Sequence, residues 1–260
     1  MISLFKRYGT LVGFIAIVAF FWFNLPDTFM TARNWLNISQ QISMLAVVAF
    51  TMTFVMVMGD FDLSVGSMAS LSGITAALLF SQGYPVAAGV AAALAMGILG
   101  GFFNGFLVSI LGILPFVATL GTLTMFSGLA FWLSDGKTIF GRDIPKTFSG
   151  FARGGVDIEL AGTLALKIPY LSILALVVLA AVWLVLEQTS FGRRLYAIGG
   201  NYEAARLAGV KVRRLRMAAF ALTGFGAAIG GLMYASRVAS ANPTQGSGLM
   251  LDAIAAVFLG

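Results

Sequence analysis

Repeated apolar segments of about 20 residues constrain this chain more than any other feature. A helix of about 20 residues crosses the hydrocarbon core of a bilayer, where its backbone groups must bond to one another. Of the 260 residues, 59% are hydrophobic and 10% are charged, whereas a soluble domain carries about 25% charged residues. The period-2 alternation of a membrane β-barrel is absent from the sequence. The sequence therefore predicts an all-α, polytopic helical membrane protein.

Eight apolar segments are predicted to be spans, and together they form one transmembrane domain over residues 1–260. The predicted spans are approximately 8–25, 38–58, 59–81, 86–111, 115–133, 169–186, 217–236 and 250–260. All six prolines lie in connections or at span edges, because proline lacks the N–H that a helix interior requires. The eighth segment is too short to cross a bilayer. We therefore expect either a truncated sequence or a longer native protein.

Basic residues predict which ends of the spans face the cytoplasm. The connection 188–216 carries seven lysines and arginines, and the connection 135–167 carries five. Lys6 and Arg7 precede the first span. Cytoplasmic connections are richer in cations, so we place the N-terminus and 188–216 in the cytoplasm and 135–167 in the periplasm. The net charge of +6 is interpreted as this topology signal and not as nucleic-acid binding.

Residue types that are missing narrow the chemistry further. The sequence contains no cysteine and no histidine. Disulfides, thiol chemistry and metal sites built from histidine or cysteine are therefore excluded.

A short helix over 201–210 is predicted inside the basic connection. Asn201 can cap its N-terminus, Glu203 lies where the helix dipole favours an anion, and Gly209 marks its exit. The remaining residues give a small, apolar surface with one cation: Ala204, Ala205, Leu207, Ala208 and Arg206. Such a helix suits docking into a groove of another protein. The alternative is a solvated interfacial helix that has no partner.

An acidic stretch separates the second and third predicted spans. Carboxylates inside a membrane are costly, so Asp60 and Asp62 are candidates for function. The predicted orientation places both at the cytoplasmic end of the third span, where Asp62 or Ser64 can cap the helix. Two glycines give the stretch hinge candidates: Gly59 and Gly66. We interpret the stretch as a cap and hinge; direct gating and a proton or cation relay are the alternatives.

Glycines at four-residue spacing predict close helix packing inside the bilayer. They are Gly97, Gly101 and Gly105 in the fourth span, and Gly226 and Gly230 in the seventh.

Hydroxyl and amide side chains are the candidates for a solute pathway. They are Asn104, Thr119, Thr122 and Thr124. Asn104 needs a partner across a helix interface, because an unpaired amide in lipid is costly. The threonines can instead bond to carbonyls of their own helix. The lack of acidic or basic residues inside the spans suits an uncharged solute, such as a sugar, better than an ion.

Four stretches together resemble one family of transporters. They read GDFDLSVGSM at 59–68, LPFVATLGTLTMFSGLAFWLSDGK at 114–137, FGRRLYAIGGNYEAARLAGVKV at 191–212 and ASRVASANPTQGSGLMLDAIAAVFLG at 235–260. Their order and spacing are similar to those of the ribose, xylose and arabinose type permeases of ABC importers. The double acid, the SDGK stretch and NYEAARLAGV look most like L-arabinose permeases. The chain departs from the family by stopping at residue 260, before the last two and a half spans.

The resemblance implies a set of partners. Such permeases have about ten spans, pair as dimers in the lipid of the bacterial inner membrane, and bind two ATPase subunits inside and a periplasmic sugar-binding protein outside. The pattern of Glu203, Ala204, Ala205 and Gly209 resembles their EAA loop, which couples to the ATPase.

The same resemblance implies that this chain has no catalytic residue and binds no cofactor, with ATP and Mg²⁺ held by the ATPase. The sequence has no GxxxxGK[ST] loop that could bind them. The residues alone leave two alternatives, an ion-gradient-driven transporter or channel and a lipid-processing membrane enzyme. The two outer connections, 135–167 and 237–248, can dock a soluble protein or serve only as solvated caps.

Overall fold

Helices make up most of the chain. The computed structural model describes residues 2–160 and 164–259, without the side chains of residues 2–8, 158–160 and 164–166. The α-helices are α1 (Ile2–Asn24), α2 (Pro26–Phe29), α3 (Ala32–Met56), α4 (Val65–Ser81), α5 (Val86–Ser109), α6 (Pro115–Leu133), α7 (Lys146–Arg153), α8 (Tyr170–Trp183), α9 (Ser190–Gly200), α10 (Tyr202–Leu207), α11 (Val212–Val238) and α12 (Leu249–Leu259). A π-helical turn, Leu184–Gln188, extends α8.

Two pairs of short antiparallel strands accompany the helices. Strand β1 (Ile139–Phe140) pairs with β4 (Ser240–Ala241), and β2 (Gly155–Leu160) pairs with β3 (Leu164–Pro169). Because β1 and β4 join the connection after α6 to the connection after α11, these two connections lie at the same end of the bundle.

Within the described residues, five helices are long and apolar enough to cross a membrane: α3, α5, α6, α8 with its π-helical extension, and α11. Shorter apolar helices cover residues 9–24, α4 and α12. Each of the eight apolar segments found in the sequence coincides with a helix. The prediction of an all-α, polytopic membrane protein is confirmed.

Helix α11 lies at the centre of the bundle, against α3, α4 and α5. A Cβ added to Gly97 or Gly101 would overlap a backbone carbonyl of α11, and one added to Gly105 would lie 2.6 Å from the Cα atom of Met217. The other face of α11 packs on α3, where Gly226 lies against Thr51 and Gly230 against Val48. The glycine surfaces that the sequence indicated are thus the surfaces on which α11 packs.

The connection 135–167 is more structured than the polar segment that the sequence suggested. It contains β1, a 3₁₀ turn, α7 and the β2–β3 hairpin. Ile144, Phe148 and Ala152 are spaced by four residues and form a buried apolar face. The ring of Phe148 lies 5.0 Å from that of Phe80, centre to centre, so α7 covers one end of the bundle.

The basic connection 188–216 contains one helix that the sequence analysis missed. Thr189 accepts a hydrogen bond from the backbone N–H of Gly192 and so caps α9. Leu195 and Ile198 of α9 are buried, and a Cβ on Gly199 would overlap the carbonyl of Val57. The apolar face of α9 is short and lies among arginines, which hid it in the sequence.

Helix α11 also begins earlier than predicted, at Val212 instead of Met217. Its first two turns therefore carry three of the basic residues of the connection: Arg213, Arg214 and Arg216.

Packing of α5 on α11 predicts a large cost for any side chain at Gly101. Gly101→Ala forces two helix backbones apart, and overpacking of this kind costs about 1–3 kcal/mol. We expect a lower midpoint of thermal unfolding in detergent. Gly121→Ala is the matched control, because a Cβ there meets nothing within 4 Å. Both variants gain the same helix propensity, so equal unfolding midpoints would contradict the packing described here.

Candidate functional site

An ion pair joins the connection before α4 to the first turns of α11. The two carboxylate oxygens of Asp60 accept hydrogen bonds from Nε and Nη2 of Arg216, each at 2.5 Å. The side chains are 5% and 19% exposed, respectively. A bidentate pair of this kind fixes both distance and orientation. The sequence suggested a cap or hinge for Asp60 and missed Arg216, although the predicted topology places both residues at one end of the spans.

Asp62 lies in a second hydrogen-bond network beside the ion pair. Its Oδ1 accepts from the backbone N–H of Ser64 at 2.9 Å and from the Ser64 hydroxyl at 2.6 Å. Asn104 donates to the Ser64 hydroxyl at 2.8 Å, across the interface between α5 and α4. All three residues are buried. The amide N–H of Asn104 therefore has a cross-helix partner, whereas its buried Oδ1 accepts no hydrogen bond from the described residues.

The capping prediction for α4 fails for Ser64, whose side chain accepts no bond from the first turn. Asp62 accepts the backbone N–H of Ser64, the residue directly before α4, and so satisfies one donor at the start of the helix. Ser64, the residue before α4, has φ −84° and ψ −6°, whereas a capping side chain needs an extended backbone. The Ser64 hydroxyl donates to Asp62 instead.

The two hinge candidates have different surroundings. Gly59 has φ +81° in open space, a conformation that glycine adopts without strain. Gly66 lies inside α4, where a Cβ would overlap the carbonyl of Gly246. Gly66 is therefore a site of close backbone approach.

Residues 242–248, the inserted segment, run alongside α4 as a series of turns. The backbone N–H of Gly246 donates to the hydroxyl of Ser70 at 2.8 Å. Gly66 and Gly73 of α4 face the inserted segment with no room for a Cβ. The sequence analysis treated these residues as an outer connection. In membrane proteins, non-helical backbone at this depth is found where it is buried in protein or lines a water-filled cavity.

A cavity of about 140 Å³ lies between α4, α6 and the inserted segment. This is the volume of about five water molecules in the liquid. Its wall carries five hydroxyl side chains: Ser67, Ser70, Ser127, Thr244 and Ser247. Apolar contacts come from Leu63, Leu123 and Met250. Among the residues that the structure describes, no charged side chain lines this hydroxyl cavity.

The three threonines predicted for a solute pathway do not line the hydroxyl cavity. Thr119 donates to the carbonyl of Pro115 at 2.8 Å, and Thr122 donates to that of Thr119 at 3.3 Å; both are buried. Thr124 is exposed on another face of α6 and bonds to its own helix. Ser127, in the same stretch of sequence, does line the cavity.

Helix α10 is the most accessible element at the ion-pair end of the bundle. Asn201 accepts a bond from the backbone N–H of Ala204 at 2.9 Å, and Gly209 follows the helix with φ +80°. Leu207 is 81% exposed, whereas Ala205 is buried against the bundle. Ala205 therefore anchors α10, and it does not belong to the exposed contact surface that the sequence suggested.

The charges on α10 pair with each other. Arg206 donates to Glu203 at 2.9 Å, and both side chains are more than 60% exposed, at 62% and 63%. A cavity of about 310 Å³ lies beneath α10 and is lined by Tyr202, Arg213, Arg216 and the turn between α5 and α6. The base of α10 is thus close to the Asp60–Arg216 ion pair.

Helix α9 holds the end of α8 beside α10. The hydroxyl of Tyr196 donates to a carboxylate oxygen of Glu187 at 2.9 Å. Partial burial, together with this bond to the carboxylate, raises the pKa of Tyr196 above its ordinary value.

Apolar spans, an uncharged cavity beside a non-helical segment and an exposed helix on a basic connection define a polytopic membrane transport protein. Residues 34–260 match the family described as the permease component of branched-chain amino acid transport systems, and the chain belongs to that family. It is therefore a transport component and not an enzyme.

Relatives of known name agree with this assignment. The chain is 37% identical to the ribose import permease RbsC of Bacillus subtilis, over 91% of this chain and 70% of that protein. It is 36% identical to RbsC of Haemophilus influenzae, over 98% and 76% of the two chains. The xylose transport system permease XylH of Escherichia coli is 31% identical, over 96% and 77%. No solved structure matches the chain. The resemblance to ribose and xylose type permeases is confirmed.

The Asp60–Arg216 pair predicts a large stability difference between two mild substitutions. Asp60→Asn leaves a mostly buried guanidinium without its counter-charge, which costs about 3–5 kcal/mol. Glu203→Gln removes a carboxylate from an exposed pair, which costs at most about 1 kcal/mol. Thermal unfolding of the purified variants measures both. Similar losses in the two variants would show that Asp60 and Arg216 are not a buried pair.

Proposed function

We propose that this chain is the permease subunit of an ATP-driven sugar importer in the bacterial inner membrane. The cargo is proposed to be a neutral pentose, and L-arabinose is favoured over ribose and xylose because the double acid, the SDGK stretch and NYEAARLAGV resemble L-arabinose permeases. The observation that carries the proposal is the hydroxyl cavity, since a neutral sugar offers many hydroxyl groups for hydrogen bonds and has no charge that needs a counter-charge. Two named relatives import ribose and a third transports xylose, which supports the same class of cargo.

The composition of the cavity wall suits weak, reversible contact with a sugar. Hydroxyl groups both donate and accept hydrogen bonds, so they can match a sugar in several orientations. Apolar side chains cover the remaining wall and can contact the faces of a sugar ring. An ion would lose its hydration shell here without gaining a counter-charge, and an amino acid would leave two charges unpaired. A pathway must bind its solute weakly enough to release it, and this wall meets that requirement.

Helix α10 is proposed to couple the permease to a separate ATPase subunit, which binds ATP and Mg²⁺. Its contact surface is Leu207, Ala204 and the Glu203–Arg206 pair, all exposed. Ala205 and the Asn201 cap hold the helix in place. An exposed leucine with 81% of its surface accessible, beside a mutually neutralised ion pair, is suited to burial in a protein groove.

Movement of α10 can reach the bundle through the ion pair. Arg216 lines the cavity beneath α10 and binds Asp60, and Asp60 belongs to the connection that leads into α4. Helix α4 forms one wall of the hydroxyl cavity. We propose that displacement of α10 by the ATPase is transmitted along this route, so that closure of the ATPase changes the width of the cavity.

The opposite end is proposed to receive a periplasmic sugar-binding protein. Helix α7, the β2–β3 hairpin and the β1–β4 pair form a folded cap there. A second copy of the chain completes the permease as a homodimer, and the N-terminus faces the cytoplasm, as the cation counts indicate.

Charge reversal on α10 tests the coupling. Glu203→Lys places two cations side by side on the proposed docking surface, and we expect loss of ATPase recovery when the permease is purified from membranes. ATP-dependent sugar uptake in proteoliposomes should fall at least tenfold. Asp27→Lys is the matched control, since it reverses an exposed acid of α2, at the opposite end and outside the cap proposed for the binding protein. Full uptake and normal ATPase recovery with Glu203→Lys would exclude α10 as the coupling helix.

Removal of single hydroxyls tests the cavity. Ser127→Ala or Ser247→Ala deletes one hydrogen-bonding group, worth about 0.5–1.5 kcal/mol, and should raise the KM for sugar uptake by about 2- to 10-fold. Ser81→Ala, at an exposed hydroxyl outside the cavity, should leave the KM unchanged. Uptake of L-arabinose, D-xylose and D-ribose is compared in the same proteoliposomes. Uptake of none of the three by the assembled wild-type complex would refute the proposed cargo.

A further inference from the structure

A cavity of about 610 Å³ lies at the end of the bundle opposite α10. It is enclosed by the start of α3, the end of α7, strand β3 and the end of α11. Four cationic side chains line this basic cavity: Arg33, Arg153, Lys167 and Arg237. Among the residues that the structure describes, no carboxylate lines it. Nothing in the proposed transport cycle uses these four cations.

Hydrogen bonds hold two of the four cations, Arg237 and Lys167, at the cavity. Arg237 donates through Nε to the side-chain oxygen of Gln40 at 3.3 Å. Gln40 in turn donates to the backbone carbonyl of Ala152 at 3.2 Å, and Lys167 donates to that of Arg153 at 3.3 Å. These bonds link α3, α7, β3 and α11. Lys167 and Arg237 are thereby fixed at the cavity, and the exposed side chains of Arg33 and Arg153 complete its basic wall.

The four cations have no anionic partner in the described part of the chain. Ion pairs among the described side chains are Glu203–Arg206 and Asp60–Arg216. Asp157 lies opposite Lys167 in the β2–β3 hairpin but forms no ion pair with it. Like charges gathered at one cavity repel each other, so a bound anion with several oxygen atoms would stabilise the arrangement.

The position of the cavity indicates the source of the anion. Arg33 lies at the start of α3, Lys167 just before α8, and Arg237 at the end of α11. These three helices are long and apolar enough to span a bilayer, so the cations lie at one membrane surface. Trp35 and Tyr170 are partly exposed at the same level, as aromatic residues are at membrane interfaces. Lipid phosphates lie at this level.

An apolar cavity adjoins the basic one and shares two residues with it. Its volume is about 430 Å³, and Arg33 and Asn37 line both cavities. The remaining wall is largely apolar and includes Phe21, Leu25, Phe29 and Ile38. A free anion, or an acidic side chain of a protein, would have no use for an apolar cavity beside its site. A phospholipid has a phosphate joined to acyl chains and would fill both.

We propose that the two adjoining cavities bind one anionic phospholipid. Its phosphate lies among Arg33, Arg153, Lys167 and Arg237, and the start of an acyl chain lies against Phe21 and Phe29. The lipid thereby joins α1 and α2 to the ends of α3, α7 and α11. This proposal does not depend on the identity of the transported solute.

The test measures thermal unfolding of the full chain in nanodiscs of phosphatidylcholine with and without phosphatidylglycerol. We expect phosphatidylglycerol to raise the unfolding midpoint of the wild-type protein by several degrees. Arg33→Gln/Arg237→Gln should lose most of this increase. Arg142→Gln, at an exposed cation of the same end outside the cavity, should keep it. If the double variant does not fold, Lys167→Gln replaces it in the test and should likewise reduce the increase. Lys167 lies on the β2–β3 hairpin and not in a span, so this substitution leaves the spans unchanged.

Further measurements distinguish a bound lipid from free phosphate and from an acidic protein. Inorganic phosphate added to the protein in neutral detergent should not reproduce the increase, since it fills only the basic cavity. Phe29→Ser should weaken the effect of phosphatidylglycerol while all four cations remain. An equal increase in wild type and Arg33→Gln/Arg237→Gln would overturn the proposal. If phosphate raised the unfolding midpoint as much as phosphatidylglycerol does, the site would bind a free anion instead. If Arg33→Gln/Arg237→Gln lost docking of the binding protein and phosphatidylglycerol had no effect on wild type, the site would bind an acidic protein instead.

Discussion

The close approach of helix backbones around α11 is the constraint on which the rest of the structure depends. Lipid gives helices no hydrophobic reason to associate, so they gain from van der Waals packing where small residues let backbones meet. Gly97, Gly101 and Gly224 provide this contact between α5 and α11, and Gly231 provides it between α11 and α4. With α11 fixed on three sides, Arg216 at its start and Arg237 at its end are brought to defined positions at opposite ends of the bundle.

The kind of polar group that is buried in the bundle differs between its ends and its interior. Asp60 and Arg216 are mostly buried as a bidentate pair, near the ends of the helices and not in their apolar middle. Beside them, Asp62, Ser64 and Asn104 are linked by hydrogen bonds. Along the inserted segment, the polar side chains that line the cavity are the hydroxyls of Thr244 and Ser247. A buried charge without a partner is far more costly than a buried hydroxyl, which explains why a pathway through such a bundle suits a neutral solute.

Sequence reasoning located the helices well and the contacts between distant segments poorly. Apolar length and proline positions identified the eight segments, because those signals are local. The Asn201 cap and Gly209 exit of α10 are equally local and agree with the structure. The Asp60–Arg216 pair joins residues 156 positions apart, and only the predicted topology hinted at it. The inserted segment was missed because its turn-rich composition is the same in a surface connection, and its burial depends on glycines of α4.

Coupling through α10 requires one end of the bundle to move, whereas lipid binding at the basic cavity would hold the other end in place. Coupling requires that the α10 end can move, and α10 accordingly has six residues, a single buried alanine and an exposed leucine. The other end joins α3, α7, β3 and α11 by hydrogen bonds around the basic cavity and adds the β1–β4 pair. A lipid bound there would strengthen the end that remains fixed while α10 moves. Because α11 runs from one end to the other, motion at Arg216 would then be converted into rotation or bending of α11 against a held terminus, and the cavity beside α4 would receive the displacement.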